Sequence, residues 1–291
     1  MYKNAKVYSD GSHYVAVLQK KNNGHSRSKF PPSPETGQKK ELFEKAFQGN
    51  KDKRKKEKLK NIVQDLSEAF STKAETERFV RENMARKERN ELLRKTRLAR
   101  KVNLNPWNWF CTFTYSDEKH TEESFRKKLC QTLRHFSHRR GWRYIGVWER
   151  SPEKKRLHFH GIFYIPDGTM PENMTEKEDY STKAHRMQKT LQNSYFSERF
   201  GRNDCQRLGT KKEIELSKNY LMKYIGKSGE RLVYSRNVPT YIRTDISEDD
   251  LALPVDAENQ KYLLFDDFHC YKDGEDLGKI CNETIERCKR N

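Results

Sequence analysis

Two β-prone runs, WRYIGVWE (142–149) and LHFHGIFYI (157–165), are separated by only seven polar residues, RSPEKKR. A parallel crossover needs about a dozen residues or more, so a connection this short pairs the two runs antiparallel. Around them the chain reads strand, helix, strand, strand, helix, helix. NWFCTFTY (108–115) is aromatic and β-branched, as strands are. Thr121, with Glu122 and Glu123 behind it, opens a helix in which Phe125, Leu129, Leu133 and Phe136 recur at helical spacing before Gly141. Residues 186–198 and 211–225 read as two more helices, followed by extended pieces over 231–243. The predicted class is α+β, a central antiparallel sheet flanked by helices, rather than a parallel βαβ array.

The first third of the chain reads differently. KVYSDGSHYVAVL (6–18) sets Asp10-Gly11 between two β-prone runs, the pattern of a short hairpin. Residues 22–40 are rich in Pro, Gly and Ser, as a linker is. From 41 to 100 the chain is crowded with Lys, Arg and Glu. There Leu59, Ile62, Val63, Leu66, Ala69 and Phe70 fall at helical spacing, predicting one amphipathic helix, and residues 75–100 predict a second. The expected organisation is a basic, largely helical extension (1–104), a central domain (105–244) and an acidic tail (245–291).

Charge is segregated in the same way. Residues 1–100 hold 26 Lys/Arg against 13 Asp/Glu, and the remainder 34 against 29, a balance of +13 and +5. A basic excess of this kind suits a polyanion, and nucleic acid comes first because neutralised phosphates release counterions. The basic segment reads either as an arm that grips DNA or as a solvated helical pair. No 18-residue apolar run, signal-peptide core or lipidation motif is present, so the expectation is a soluble, cytoplasmic protein with no membrane partner. Six cysteines without a C-x-x-C pair read as reduced thiols rather than a zinc or disulfide framework.

Two constellations carry chemistry. His158 and His160 flank Phe159 on a strand, so their imidazoles share one face. Antiparallel pairing across the turn brings Glu149 beside them, and two imidazoles with one carboxylate can hold a divalent cation while leaving positions open for substrate. Such a cation can polarise a phosphodiester. Further on, SKNYLMKYIGKSG separates Tyr220 from Tyr224 by four residues, one helical turn, with Lys223 and Lys227 three residues after each. A phenol becomes a covalent nucleophile when nearby cations favour phenolate, and lysine also offsets charge on a pentavalent phosphorus. By itself the helix also reads as plain core packing through Leu221 and Ile225.

FCTFTYS (110–116), HFHGIFY (158–164) and YLMKYIGK (220–227), taken in this order, resemble the motifs of the HUH replication initiators, in particular the two-tyrosine rolling-circle class of phages, plasmids and related elements. The resemblance covers residues 105–243. It implies the HUH endonuclease fold, with five antiparallel strands, the H-x-H on a central strand and the tyrosine helix packed over it. It implies Mg²⁺ or Mn²⁺ held by His158, His160 and Glu149, and cleavage of a single-stranded origin DNA that leaves a 5′-phosphotyrosine and a 3′-hydroxyl primer. One tyrosine would make the first cut and the other would resolve the circle. No Walker A motif is present, so unwinding would fall to a separate host helicase, with a host polymerase, in a bacterial cytoplasm. An HUH transposase or relaxase is the nearest rival, and a non-catalytic DNA-binding or RNA-binding protein the rival from another class.

Overall fold

The structure is a computed structural model that describes residues 2–11, 13–17, 34–151, 155–181, 185–225, 232–246, 261–264, 269–272 and 275–279. Strands β1 (Tyr2–Ser9) and β2 (Tyr14–Val17) precede helices α1 (Pro34–Gly49), α2 (Lys55–Asp65) and α3 (Lys73–Asn103). Next come β3 (Trp109–Thr114), α4 (Glu122–Arg140), β4 (Arg143–Arg150), β5 (Leu157–Tyr164), β6 (Met174–Ser181) and β7 (Arg186–Asn193). The chain continues with α5 (Ser194–Arg199), β8 (Asn203–Arg207), α6 (Lys211–Met222), β9 (Val233–Tyr234) and β10 (Ile242–Ile246), then β11 (Lys261–Leu264), β12 (His269–Lys272) and β13 (Glu275–Lys279). Contacts divide it into two compact units, Met1–Lys20 with Arg94–Asn291, and Lys21–Leu93.

The Lys21–Leu93 unit is helical. Phe43 of α1, Ile62 of α2, Leu66, and Val80 and Met84 of α3 form its core, with Phe47, Leu59, Val63, Phe70 and Phe79 packed around them. Of the expected linker, residues 22–33 lie outside the described residues. Residues 34–40 instead begin α1, with Pro34 at the first helical position, where the missing N–H costs nothing.

In the other unit, a five-stranded sheet runs in the order β8-β3-β5-β4-β9, every neighbour antiparallel. Alternation assigns the side chains to two faces. Trp109, Cys111 and Phe113 of β3, Tyr144 and Trp148 of β4 and Leu157, Phe159 and Phe163 of β5 meet Phe125, Leu129, Leu133 and Phe136 of α4. Helix α4 starts on Thr121, whose hydroxyl accepts from the Ser124 N–H, and stops on Gly141 at φ 71°, the left-handed cap that a side chain resists. The opposite face carries Ile145, Val147 and Ile162, which pack with Leu221 and Ile225, with Leu98 and Val102 of α3 and with Trp107. Helix α6 is fixed at its start by a capping box between Thr210 and Glu213.

A second sheet has the order β10-β1-β2-β11-β12-β13. Its β1–β2 pair is the hairpin read around Asp10-Gly11. The segment from 245 onward supplies β11, β12 and β13 to it, and β11 pairs with β2. One expectation fails outright. Residues 186–193, read as the start of a helix, form β7 and pair with β6 along their whole length, and only Ser194–Arg199 is helical. Met187 and Leu191 stand four apart, a spacing that satisfies both a helix face and a strand face. Pairing with β6 decides between them.

Candidate active site

β5 is the middle strand of the five, and it points His158 and His160 to the α6 face. On one side the register sets Thr112 opposite His160 and Thr114 opposite His158. On the other, Val147 faces His160 and Glu149 faces His158. Thr112 Oγ1 lies 2.9 Å from His160 Nδ1 and Thr114 Oγ1 lies 2.7 Å from His158 Nδ1. With both Nδ1 atoms held by hydroxyls of β3, each ring has Nε2 left for the site. His160 Nε2 is 2.7 Å from Glu149 Oε2, a contact that runs diagonally across the β4–β5 pair.

The tyrosines close over this group. Tyr220 donates its hydroxyl to Glu149 Oε2 at 3.0 Å. Helix α6 ends at Met222, yet i→i−3 hydrogen bonds carry the backbone on through Lys223, Tyr224 and Ile225, so Tyr224 remains one turn beyond Tyr220. Their rings are 5.2 Å apart, and Tyr224 also shares hydrogen bonds with Glu149 and Tyr220. His160 meets Tyr220 edge to face at 5.3 Å and lies nearly parallel to Tyr224 at 6.4 Å. Phe110 braces the arrangement, packing edge-on to Tyr220 at 5.6 Å.

Charge states follow from these contacts. Burial pushes the Glu149 carboxyl up, but hydrogen bonds from His160, Tyr224 and Tyr220 outweigh it and hold Glu149 below its usual value. Burial, helped by His160, Arg156 and Arg202, lowers His158 to about 4, so its imidazole is neutral at neutral pH, as a ligand must be. Tyr220 is driven well above the ordinary phenol value by burial, then by its bond with Tyr224 and the charge of Glu149. Tyr224 is raised by burial and by Glu149, against a lowering bond from Tyr220. In this arrangement both phenols keep their protons.

The structure thus brings together five of the seven residues singled out from sequence: Glu149, His158, His160, Tyr220 and Tyr224. Lys223 is the exposed C-cap of α6, and Lys227 lies outside the described residues. In type, two oriented imidazoles and a carboxylate fit a divalent cation. In spacing, no group of three or more His, Cys, Asp or Glu among the described residues is gathered as a metal centre, and the two imidazole centroids are 6.0 Å apart. Thr112, Thr114 and Phe110 escaped the sequence reading. The signal was available: T-x-T on one strand, in register with H-x-H on its neighbour, puts both hydroxyls on the histidine face. Thr114→Val keeps the shape and removes the hydroxyl that orients His158. We expect it to weaken Mn²⁺ binding about 10- to 100-fold by calorimetry, with Thr114→Ser restoring it.

A protein-family model described as Replication-associated protein ORF2 matches residues 108–229, a stretch that contains Glu149, His158, His160, Tyr220 and Tyr224. The match supports a replication-initiator type of role for this part of the chain. Comparison with curated proteins and with solved structures gives no match. No helix among the described residues is long and apolar enough to cross a membrane.

Proposed function

We propose that this chain is an HUH rolling-circle replication initiator that nicks and rejoins a single-stranded origin DNA through Tyr220 and Tyr224. One observation carries the reading: both phenols reach the same carboxylate, Glu149, which also holds His160 on the central strand. A nucleophile and the groups that would activate its phosphate thus converge from a helix and two strands. In the cutting step the phenol oxygen bonds to the scissile phosphorus and the bond from phosphorus to the 3′ oxygen breaks. The phenol's proton leaves along its hydrogen bond to Glu149 Oε2, and the departing oxygen takes up a proton to become the 3′-hydroxyl. A second tyrosine within reach of the same carboxylate allows a second transfer once the first tyrosine is occupied by DNA.

His158, His160 and Glu149 would hold Mg²⁺ or Mn²⁺, which supplies charge to a phosphate oxygen in the transition state. Glu149 is half-buried beside two phenols, and its charge contributes to keeping them protonated, so neutralising it favours the attacking form. The initiator is preferred to a transposase or relaxase because the family match is to replication-associated proteins. The test is incubation with a labelled single-stranded oligonucleotide library and Mn²⁺, followed by a denaturing gel. An SDS-resistant adduct that EDTA abolishes is expected. DNA binding without any adduct would move the function to recognition alone.

A further inference from the structure

The β10–β1 edge of the six-stranded sheet carries a row of cations and tyrosines that the site above does not use. Along β1 the burial alternates, with Ala5, Val7 and Ser9 inside and Lys6 and Tyr8 half-exposed. β10 is the edge strand of this sheet, and its exposed Arg243 stands opposite Lys6 in the register. The Tyr8 and Tyr241 rings meet edge to face at 5.5 Å. Lys6 Nζ sits 5.0 Å over the Tyr241 ring, with the Arg243 guanidinium at 5.9 Å, and the Arg100 guanidinium lies 4.4 Å over Tyr8. Arg100 is paired with Asp10 at 2.6 Å, while Arg97 acts electrostatically on Tyr8. Four cations, Lys6, Arg97, Arg100 and Arg243, therefore surround two aromatic rings, against the one carboxylate paired there.

We propose that this face is an accessory binding surface for single-stranded DNA, with Lys6 and Arg243 on phosphates and Tyr241 as a platform for a base. Charge and chemistry both select this occupant. Cations spaced between aromatic rings on an open sheet face match a strand whose phosphates and bases alternate, and every base offers a ring face to stack. A duplex keeps its bases inside and makes no use of the tyrosines. An acidic peptide would satisfy the cations but leave the rings idle. Hydrogen bonding from Arg243 and the charge of Lys6 hold the Tyr241 hydroxyl below its ordinary value despite some burial, in keeping with an excess of positive charge. The choice of DNA over RNA rests on the replication reading; the surface itself does not, because binding is measured apart from cleavage.

The test is fluorescence anisotropy of a labelled oligothymidylate of about thirty nucleotides, room for two sites of this kind, across a salt series with EDTA present so that no strand is cut. Lys6→Gln/Arg243→Gln is expected to lose about tenfold in affinity and to lower the slope of log K against log salt by roughly 1.4, two phosphate contacts at about 0.7 each. Tyr241→Leu is expected to lose about tenfold with the slope unchanged, whereas Tyr241→Phe, which keeps the ring, binds as the parent does. Parental affinity in the charge variant or in Tyr241→Leu overturns the surface. Equal losses in Tyr241→Phe and Tyr241→Leu reassign the effect to folding and overturn the base platform. Tighter binding of an oligouridylate of equal length overturns DNA as the occupant. Adduct formation at Tyr220 or Tyr224 is read separately, so failure of the nicking reading and failure of this surface are distinct results.

Discussion

Tyr220→Phe/Tyr224→Phe forms no covalent DNA adduct and cuts at least about 10⁴-fold more slowly than the parent, while folding and DNA binding stay close to parental. The rings carry the packing, and phenylalanine keeps them: Tyr220 edge-on to Phe110 and His160, Tyr224 alongside His160. What is lost is the pair of hydroxyls on Glu149, worth about 1 kcal/mol each in stability, and with them every nucleophile the site presents. Each single variant keeps one phenol within reach of Glu149 and so retains a detectable adduct. The reading is the fraction of labelled DNA shifted on a denaturing gel. An adduct in the double variant would remove both tyrosines from the chemistry.

Gly146→Ala is expected to destabilise its unit by about 3 kcal/mol, the upper end for overpacking a core, which lowers Tm by roughly 10 °C for a unit of this size. Gly146 pairs with Gly161 across β4 and β5, directly beneath the aromatic layer that faces α4. A Cβ there would stand 2.3 Å from Phe159 Cζ and 2.6 Å from the His160 carbonyl oxygen. The ring could turn, but the carbonyl belongs to the strand, so β5 itself must move. Because Phe159 lies between His158 and His160, the displacement also reaches the donor pair, and Mn²⁺ affinity falls with stability. Gly161→Ala is milder, since its nearest neighbour is the edge of the Phe163 ring at 2.8 Å. Thermal unfolding of the two variants side by side checks the order.

What the sequence made legible was local or short-range. The seven-residue connection fixed β4 and β5 as antiparallel, and that pairing alone brought Glu149 opposite His158. Thr121, the apolar repeat of α4 and Gly141 gave a helix with both ends in place. The rest depended on which segments pair at a distance. β7 was misread because Met187 and Leu191 suit either period and only β6 decides. β8 is five residues with no strong pattern, and its place beside β3 is a matter of tertiary pairing. In the site, residue types were legible and hydrogen bonding was not. Nothing in the spacing of Tyr220 and Tyr224 says that both share one carboxylate, or that Tyr224 reaches it from a tightened turn past the end of α6. Thr112 and Thr114 looked like ordinary β-branched strand residues until the register placed them on the histidines.

The central claim is a covalent bond from DNA to one of two named tyrosines, and peptide mapping of the adduct tests it most directly. Trypsin cleaves after Lys218, Lys223 and Lys227, so Tyr220 and Tyr224 fall on different peptides, residues 219–223 and 224–227. After nuclease trimming, mass spectrometry is expected to find the nucleotide remnant on one or both of these two peptides and nowhere else. A remnant on any other peptide, such as those bearing Tyr115 or Tyr164, would contradict the account.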